Sequence, residues 1–169
     1  MRIGQGYDVH RLMDREEFIK KFPDRKDHKF ILAGVEIPHN KVLVGHSDAD
    51  VLTHAICDAL LGAAGFKDIG NKFPDTDLSF KAIDSQILLK RVLELITSKS
   101  WNIVNIDSIV MAERPKLAPH IDSMKLVLAK TLEINIDQIN IKATTTEKLG
   151  LVGREEGIAA SAVTLLERN

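Results

Sequence analysis

Thiols are almost missing from this chain: Cys57 is the one cysteine in 169 residues. That excludes an internal disulfide and suits a reducing compartment. Cys57 falls inside an apolar helical pattern, where a buried inert thiol is expected rather than a nucleophile. No run of about 18 apolar residues occurs that would span a membrane. The N-terminus MRIGQGYDVH lacks the apolar core of a leader, so the expected location is cytoplasmic. There is no surplus of positive charge either. The formal net charge is −1, which gives no field for nucleic acid or an anionic membrane, so a phosphorylated ligand must be held by local groups. Also absent are HExxH, a Walker A sequence and the dinucleotide-binding glycine pattern. Heptads, low-complexity tracts and internal repeats are lacking too. With 44% apolar and 28% charged residues, the chain reads as a single globular domain over residues 1–169.

The stretch present in their place is HSDADVLTHAICDALLGAAGFKDIGNKFPDTD, residues 46–77, which gathers histidines and aspartates around one helical pattern. Asp50 to Ala64 is expected to be that helix, with Ser47, Asp48 and Asp50 as cap oxygens. Leu52, Ile56, Ala59, Leu60 and Ala63 form its core stripe, while Val51, His54, Asp58 and Gly62 fall on another. Asp50 and Asp58 lie one turn either side of His54 and are candidates to hold its second ring nitrogen. Residues 65–78 are polar and rich in Gly and Pro, a loop of functional character.

Upstream, Arg2 to His10 reads as a strand in which Gly4 and Gly6 permit close backbone approach. Period two puts Asp8 and His10 on one face and Tyr7 and Val9 on the other. A carboxylate beside an imidazole is half of a divalent-metal site, or else a surface ion pair at a strand end. Residues 13–29 are charge-rich, with a short amphipathic turn through Phe18, Ile19 and Phe22 and a break at Pro23; His28 is expected on the surface. Residues 30–38 suggest a strand or hairpin turning at Gly34. Downstream come a helix capped by Asp84, burying Ile87, Leu88, Val92, Leu95 and Ile96, and then Trp101 as a core or edge anchor. A strand over 103–112 leads into a loop over 113–119 in which Arg114 and Lys116 can meet phosphate. A helix starting at Pro119, a strand over 139–147, a glycine-spaced loop over 149–157 and a final strand over 158–167 complete the pattern. Strands alternating with helices predict one α/β (α+β) domain, a single sheet with helices over one face.

Asp8, His10 and His54 supply one carboxylate and two imidazoles, the donor set of a catalytic zinc site with an open fourth position, with His46 nearby as a spare. Manganese or iron suits the same set. Thr144, Thr145, Thr146, Glu147 and Lys148 add hydroxyls, a carboxylate and an ammonium at a strand end. Three threonines are equally good strand residues.

RIGQGYDVH, HSDADVLTHAICDALLGAAG, DIGNKFPDTD, APH, KATTTEKLG and GREEGIAASAV together resemble the 2-C-methyl-D-erythritol 2,4-cyclodiphosphate synthase family of the non-mevalonate isoprenoid pathway, over nearly the whole chain. The resemblance implies a phosphorus–oxygen lyase that closes 4-diphosphocytidyl-2-C-methyl-D-erythritol 2-phosphate into the cyclic diphosphate and expels CMP. It implies Asp8, His10 and His54 as zinc ligands, His46 and Thr145 as the catalytic pair that orients the phosphates, and Ser47 beside the former. Glu147 matches the ligand of a second divalent ion, Mg2+ or Mn2+. Asp68, Ile69 and Gly70, with Phe73, Pro74, Asp75, Thr76 and Asp77, match the loop over the erythritol moiety. Ala112, Pro115, Lys116, Leu117 and Ala118, with Thr144, Thr145, Thr146 and Glu147, match the cytidine and phosphate pocket. Arg154 matches a phosphate-side arginine, and Leu151 a substrate contact where the family commonly has an aromatic residue. Asp8 and His10 count as substrate-side as well as metal-side residues. The expected architecture is a four-stranded mixed sheet assembled as a homotrimer with sites shared between subunits.

Residues 13–29 are longer than is usual in the family, an insertion close to the metal strand. The competing readings are a metal-dependent phosphohydrolase that activates water at the same zinc, and a non-catalytic trimer that binds isoprenoid or nucleotide ligands.

Overall fold

A computed structural model describes residues 1–45, 47–73 and 83–168. The first strand, β1 (Arg2–Asp14), runs four residues past the expected end at His10. After helix α1 (Arg15–Lys21) and a 3-10 turn at Pro23–Arg25 come the short strands β2 (Ile31–Leu32) and β3 (Val35–Glu36). They form a hairpin of their own. Ala33 and Gly34 turn it with positive φ of 49° and 71°. β4 (Lys41–Val44) follows and pairs antiparallel with the extension of β1, Arg11 opposite Val44 and Asp14 opposite Lys41.

That pairing corrects the strand count. Among the described residues the main sheet has five strands, not four, in the order β4-β1-β7-β5-β6, with β5 (Trp101–Met111), β6 (Ile139–Thr144) and β7 (Gly157–Arg168). β5 and β6 run parallel and the other neighbours antiparallel, so the sheet is mixed, as expected. KVLV is short and lies between Pro38 and Gly45, where turn residues on both sides mask it.

Helix α2 (Val51–Ala64) is pressed onto β1 and β7, with α4 (Ser85–Thr97) on its other side. That double covering buries Val51, Ala55, Cys57 and Leu61 as well as the expected stripe. A one-face pattern describes a surface helix, and α2 is central. Its approach to β1 depends on glycine: a Cβ on Gly4 would lie 2.0 Å from the Ala59 carbonyl oxygen, and one on Gly6 1.9 Å from that of Ala55. The side chain of Asp50 caps α2 by accepting from the Thr53 amide, and Gly65 closes it in the left-handed region at φ 80°.

Within the region expected to be all loop, Asp68 caps a short helix, α3 (Ile69–Lys72). Asp84 caps α4 as expected, but Ile87 is half exposed and Leu89 takes its place in the core. α5 (Ile121–Leu132) packs against α4 and β6. β6 ends at Thr144, three residues before the expected Glu147, and the 149–157 loop contains a helical turn, α6 (Gly150–Gly153). Trp101 is buried at the sheet end under the Arg168 guanidinium, 4.3 Å from the ring centroid.

The helices lie on the face of β1 that carries Gly4 and Gly6. On its other face Ile3, Tyr7 and Val9 are 73%, 56% and 41% exposed, and Val163 of β7 is 44% exposed. These are large apolar side chains in one neighbourhood on an uncovered sheet, an unusual surface for a lone subunit.

Candidate active site

Period-two alternation along β1 sends Asp8 and His10 to the helix-covered face, and α2 brings His54 down onto them. His10 Nε2 lies 3.0 Å from Asp8 Oδ2, His54 Nδ1 lies 3.1 Å from the same oxygen, and the two nitrogens are 3.1 Å apart. Four bonds of about 2.0–2.1 Å in a tetrahedron place ligand atoms about 3.3 Å from one another. The triangle therefore has the size of one face of a zinc coordination shell. It is the group of histidines and carboxylates that could hold a metal among the described residues.

The outer nitrogens decide which atoms face inward. His10 Nδ1 lies 3.1 Å from the Val44 carbonyl, which can only accept, so Nδ1 carries the proton and Nε2 offers its lone pair. β4, the strand hidden from the sequence pattern, thus supplies the acceptor that fixes His10. His54 Nε2 lies 3.0 Å from Ser85 Oγ and 3.2 Å from Ser47 Oγ. Ser85 Oγ donates its own proton to Asp48 Oδ1, so its oxygen is free to accept from Nε2–H. Three lone pairs therefore converge on one point, and a cation is the species that satisfies them together. The donor set and its outer partners fit a divalent transition metal.

Electrostatics favour an ionised Asp8 and, in the metal-free protein, a proton on His54. Burial raises the Asp8 carboxyl, but hydrogen bonds and charge from His10 and His54 outweigh it and hold Asp8 well below the ordinary carboxylate range. Burial lowers His54, yet the Asp8 hydrogen bond and charge, helped by Asp50 and Asp48, leave it above the ordinary histidine value.

The expected role of Asp50 and Asp58 as holders of His54 is not what the structure shows. Asp50 is buried and accepts from the amides of Ala33 (2.8 Å), Gly34 (2.7 Å) and Thr53 (3.0 Å) and from the Thr53 hydroxyl (2.7 Å). Asp58 accepts from the Ile69 amide at 2.7 Å and so ties α3, with Asp68, Ile69 and Gly70, to α2. Along a helix i±4 carboxylates come near a side chain without being obliged to bond it, and both aspartates have backbone donors closer at hand.

His46, Pro74, Asp75, Thr76 and Asp77 lie outside the described residues. The residues on either side of position 46 are held by a side chain from the charge-rich 13–29 stretch. Arg25 donates to the carbonyls of Gly45 (2.6 Å) and Ser47 (2.7 Å). His28, expected on the surface, is half-buried: it stacks on Phe18 at 4.8 Å and its Nε2 lies 2.7 Å from the Leu43 carbonyl. Burial pulls His28 below its ordinary value, with the Leu43 contact opposing.

A second cluster forms at the ends of β5 and β6. Glu113 accepts from the amides of Thr146 (2.9 Å) and Lys148 (3.2 Å), joining the 112–118 loop to the 144–148 turn. Ala112 and Leu117 are buried, Ala112 donating to the Thr144 carbonyl at 3.0 Å, while Lys116 and Ala118 are exposed and Pro115 half-buried after a cis bond from Arg114. Thr145 Oγ1 donates to Glu147 Oε1 at 3.0 Å. Two cations expected near phosphate have carboxylate partners here: Arg154 pairs with Glu156 and Arg114 with Glu155. Leu151 is exposed.

The two clusters lie at the same level of the sheet but apart. Val9 is opposite Ala159, Ala159 opposite Met111, and Met111 opposite Thr144. Three strand spacings separate them, about 14 Å.

Sequence reasoning missed Ser85 as a partner of the site, and it named Asp48 for capping alone. It also missed Glu113. The short spacing from Asp84 to Ser85 marks a helix start, and that reading absorbed the serine.

A sequence model of the YgbB family matches residues 1–167. The 2-C-methyl-D-erythritol 2,4-cyclodiphosphate synthase of Thiobacillus denitrificans is 52% identical over 99% of this chain and 98% of its own. Among solved structures, the bifunctional IspDF of Campylobacter jejuni shares 40% identity and a TM-score of 0.89 over 99% of this chain, which spans 42% of that longer protein. The CDP complex of IspF from Plasmodium falciparum is 34% identical with a TM-score of 0.82, covering 99% of this chain and 96% of the other. With the match running end to end and a full-length relative at that identity, the chain belongs to the YgbB family, that of the 2-C-methyl-D-erythritol 2,4-cyclodiphosphate synthases.

Proposed function

We propose that the protein converts 4-diphosphocytidyl-2-C-methyl-D-erythritol 2-phosphate into 2-C-methyl-D-erythritol 2,4-cyclodiphosphate and CMP. An oxygen of the 2-phosphate forms a bond to the β-phosphorus while the bond from that phosphorus to the oxygen bridging the α-phosphate breaks. The electron pair leaves with CMP. The nucleophile is already an anion, so the reaction needs no general base; it needs two anions brought together and in line. The observation that carries this reading is the convergence of the Asp8, His10 and His54 lone pairs in a chain of this family.

Those three residues would hold zinc, and Glu147 a magnesium or manganese ion, and when bound such ions supply the positive charge that lets two phosphates approach. The chain does the rest. His46 and the Thr145 hydroxyl orient phosphate oxygens, with Ser47 beside the first. Asp68, Ile69, Gly70, Phe73, Pro74, Asp75, Thr76 and Asp77 cover the erythritol. Ala112, Pro115, Lys116, Leu117 and Ala118 take the cytidine, Leu151 adds apolar contact, and Thr144 and Thr146 bind the diphosphate. Arg154 reaches phosphate by exchanging its exposed Glu156 partner, since exposed ion pairs are weak. The CDP bound to the Plasmodium falciparum relative supports a cytidine nucleotide as the departing part.

The active assembly is a homotrimer in which the metal half of one subunit faces the Thr145–Glu147 half of its neighbour. Two observations support this: both halves lie on one cross-strand row yet about 14 Å apart, and the uncovered apolar face of β1 and β7 calls for a partner. Residues 1–169 form one domain, and no helix among the described residues is long and apolar enough to cross a membrane. The free, buried Cys57 is in keeping with a reducing cytoplasm.

Phosphorus NMR on the purified, metal-loaded protein with its substrate tests the reaction. The expected products are the cyclic diphosphate and CMP. Linear phosphates with CMP would mean that water is the nucleophile and would overturn the reading.

A further inference from the structure

His54 is the one ligand of the proposed metal site contributed by a helix, and helix packing alone does not fix the rotation of an imidazole. What fixes it lies on the far side of the ring. Ser85 Oγ, at the first residue of α4, is 3.0 Å from Nε2. The Ser85 hydroxyl proton is committed to Asp48 Oδ1, and Asp48 Oδ2 accepts the Ser85 backbone amide at 2.9 Å. Asp48 also donates its own amide to the Ile83 carbonyl at 3.4 Å, so both partners are held against each other at backbone and side chain. Ser85 is buried.

We propose that Ser85 and Asp48 are positioning residues for metal binding: His54 Nε2–H donates to Ser85 Oγ, and Ser85 Oγ–H donates to Asp48. This rests on the reading of Asp8, His10 and His54 as ligands of a divalent ion. The relay does two things. It holds the tautomer that leaves Nδ1 unprotonated, and it makes the imidazole a better donor of its lone pair, because the Asp48 carboxylate strengthens Ser85 as an acceptor. Ser47 Oγ is the competing partner at 3.2 Å, but it already accepts from the Ala49 amide at 3.1 Å, and among the described residues no carboxylate accepts its hydroxyl. The relay also joins the start of α4 to the proposed metal ligand.

The test is zinc affinity by competition with a chromophoric chelator, measured on metal-free protein whose fold is checked by circular dichroism. Wild type is expected to bind one zinc at this site and His54→Ala to lose it; if His54→Ala binds like wild type, the metal reading itself has failed, separately from the relay. Given that site, Ser85→Ala is expected to weaken zinc about 10–100-fold, the usual cost of an outer-shell partner, and Ser85→Thr, which keeps the hydroxyl, to restore most of it. Asp48→Asn is expected to weaken zinc in the same direction, and the Ser85→Ala/Asp48→Asn double variant to be no worse than Ser85→Ala alone, because the two act through one hydrogen bond. Unchanged affinity in both single variants overturns the proposal. So does a loss confined to Ser47→Ala.

Discussion

Replacing Gly6 with alanine is expected to take apart the metal centre without touching a ligand. Gly6 sits two residues before Asp8 on β1, and the atom that its missing Cβ would strike is the carbonyl oxygen of Ala55, the neighbour of His54 on α2. That Cβ would lie 1.9 Å from the oxygen and 2.7 Å from the Ala59 nitrogen, both helix backbone with no rotamer to escape into. Contacts below 3.0 Å are essentially never seen, so strand and helix must separate by about 1.1 Å at this point. A metal site tolerates ligand errors of about 0.2 Å. The three ligand atoms now stand 3.0–3.1 Å apart, so a shift of that size removes His54 from the triangle. Zinc affinity is expected to fall by more than the about 100-fold upper range for losing an outer partner. Stability is expected to drop by about 1–3 kcal/mol from overpacking. Gly62→Ala is the control on the same helix: its Cβ meets nothing nearer than 3.9 Å. It is expected to add roughly 0.5–1 kcal/mol through helix propensity and leave zinc binding alone. Chelator competition and urea unfolding read both quantities. If Gly6→Ala kept wild-type zinc affinity and stability, close packing of α2 on β1 would not be what assembles the site.

Asp50→Ala leaves the amides of Ala33, Gly34 and Thr53 without their acceptor in a buried position. At about 1–3 kcal/mol for each orphaned donor, a loss of at least about 3 kcal/mol is expected in urea unfolding, and one below about 1 kcal/mol would contradict the role. pH acts on the metal centre in two directions. In metal-free protein the raised His54 contributes stability that is fully present below the ordinary value of about 6.5 and is lost as pH rises through the raised one. The lowered Asp8 contributes stability present above the ordinary carboxylate value and lost as pH falls through the depressed one. Zinc competes with the proton for His54 Nδ1, so its affinity is expected to fall as the solution is acidified through the His54 titration. An affinity flat in pH across that range would contradict the ligand assignment.

Much of the site could be read from local pattern because its ligands obey local rules. Period two along β1 sorts Asp8 and His10 from Tyr7 and Val9, and the helix boundaries at Asp50 and Gly65 carry their own cap chemistry. Contacts between residues far apart in sequence left no such trace. Ser85 meets His54 across 31 positions and Glu113 meets Thr146 across 33, and nothing in a periodicity brings either pair together. β4 was hidden for a related reason: its four residues become a strand only because β1 extends to Asp14 and offers an edge. His28 misled because its neighbours in sequence are charged while in space its ring stacks on Phe18 and meets the Leu43 carbonyl. Val51 misled because a stripe presumes one covered face, and α2 is covered on two.

Mixing two inactive variants tests most directly the claim that one chain holds only half of each active site. His54→Ala lacks a metal ligand, and Thr145→Ala lacks the threonine on the other cluster. Unfolded together in equal amounts, refolded with zinc and magnesium, and given substrate, they are expected to form some interfaces with an intact metal half from one subunit and an intact threonine half from its neighbour. Random assembly of a cyclic trimer makes about one quarter of the sites whole, so about one quarter of the wild-type rate of cyclic diphosphate and CMP formation is expected, while each variant alone gives background. If the mixture is no more active than its components, the site is not shared between subunits and the account fails at its centre.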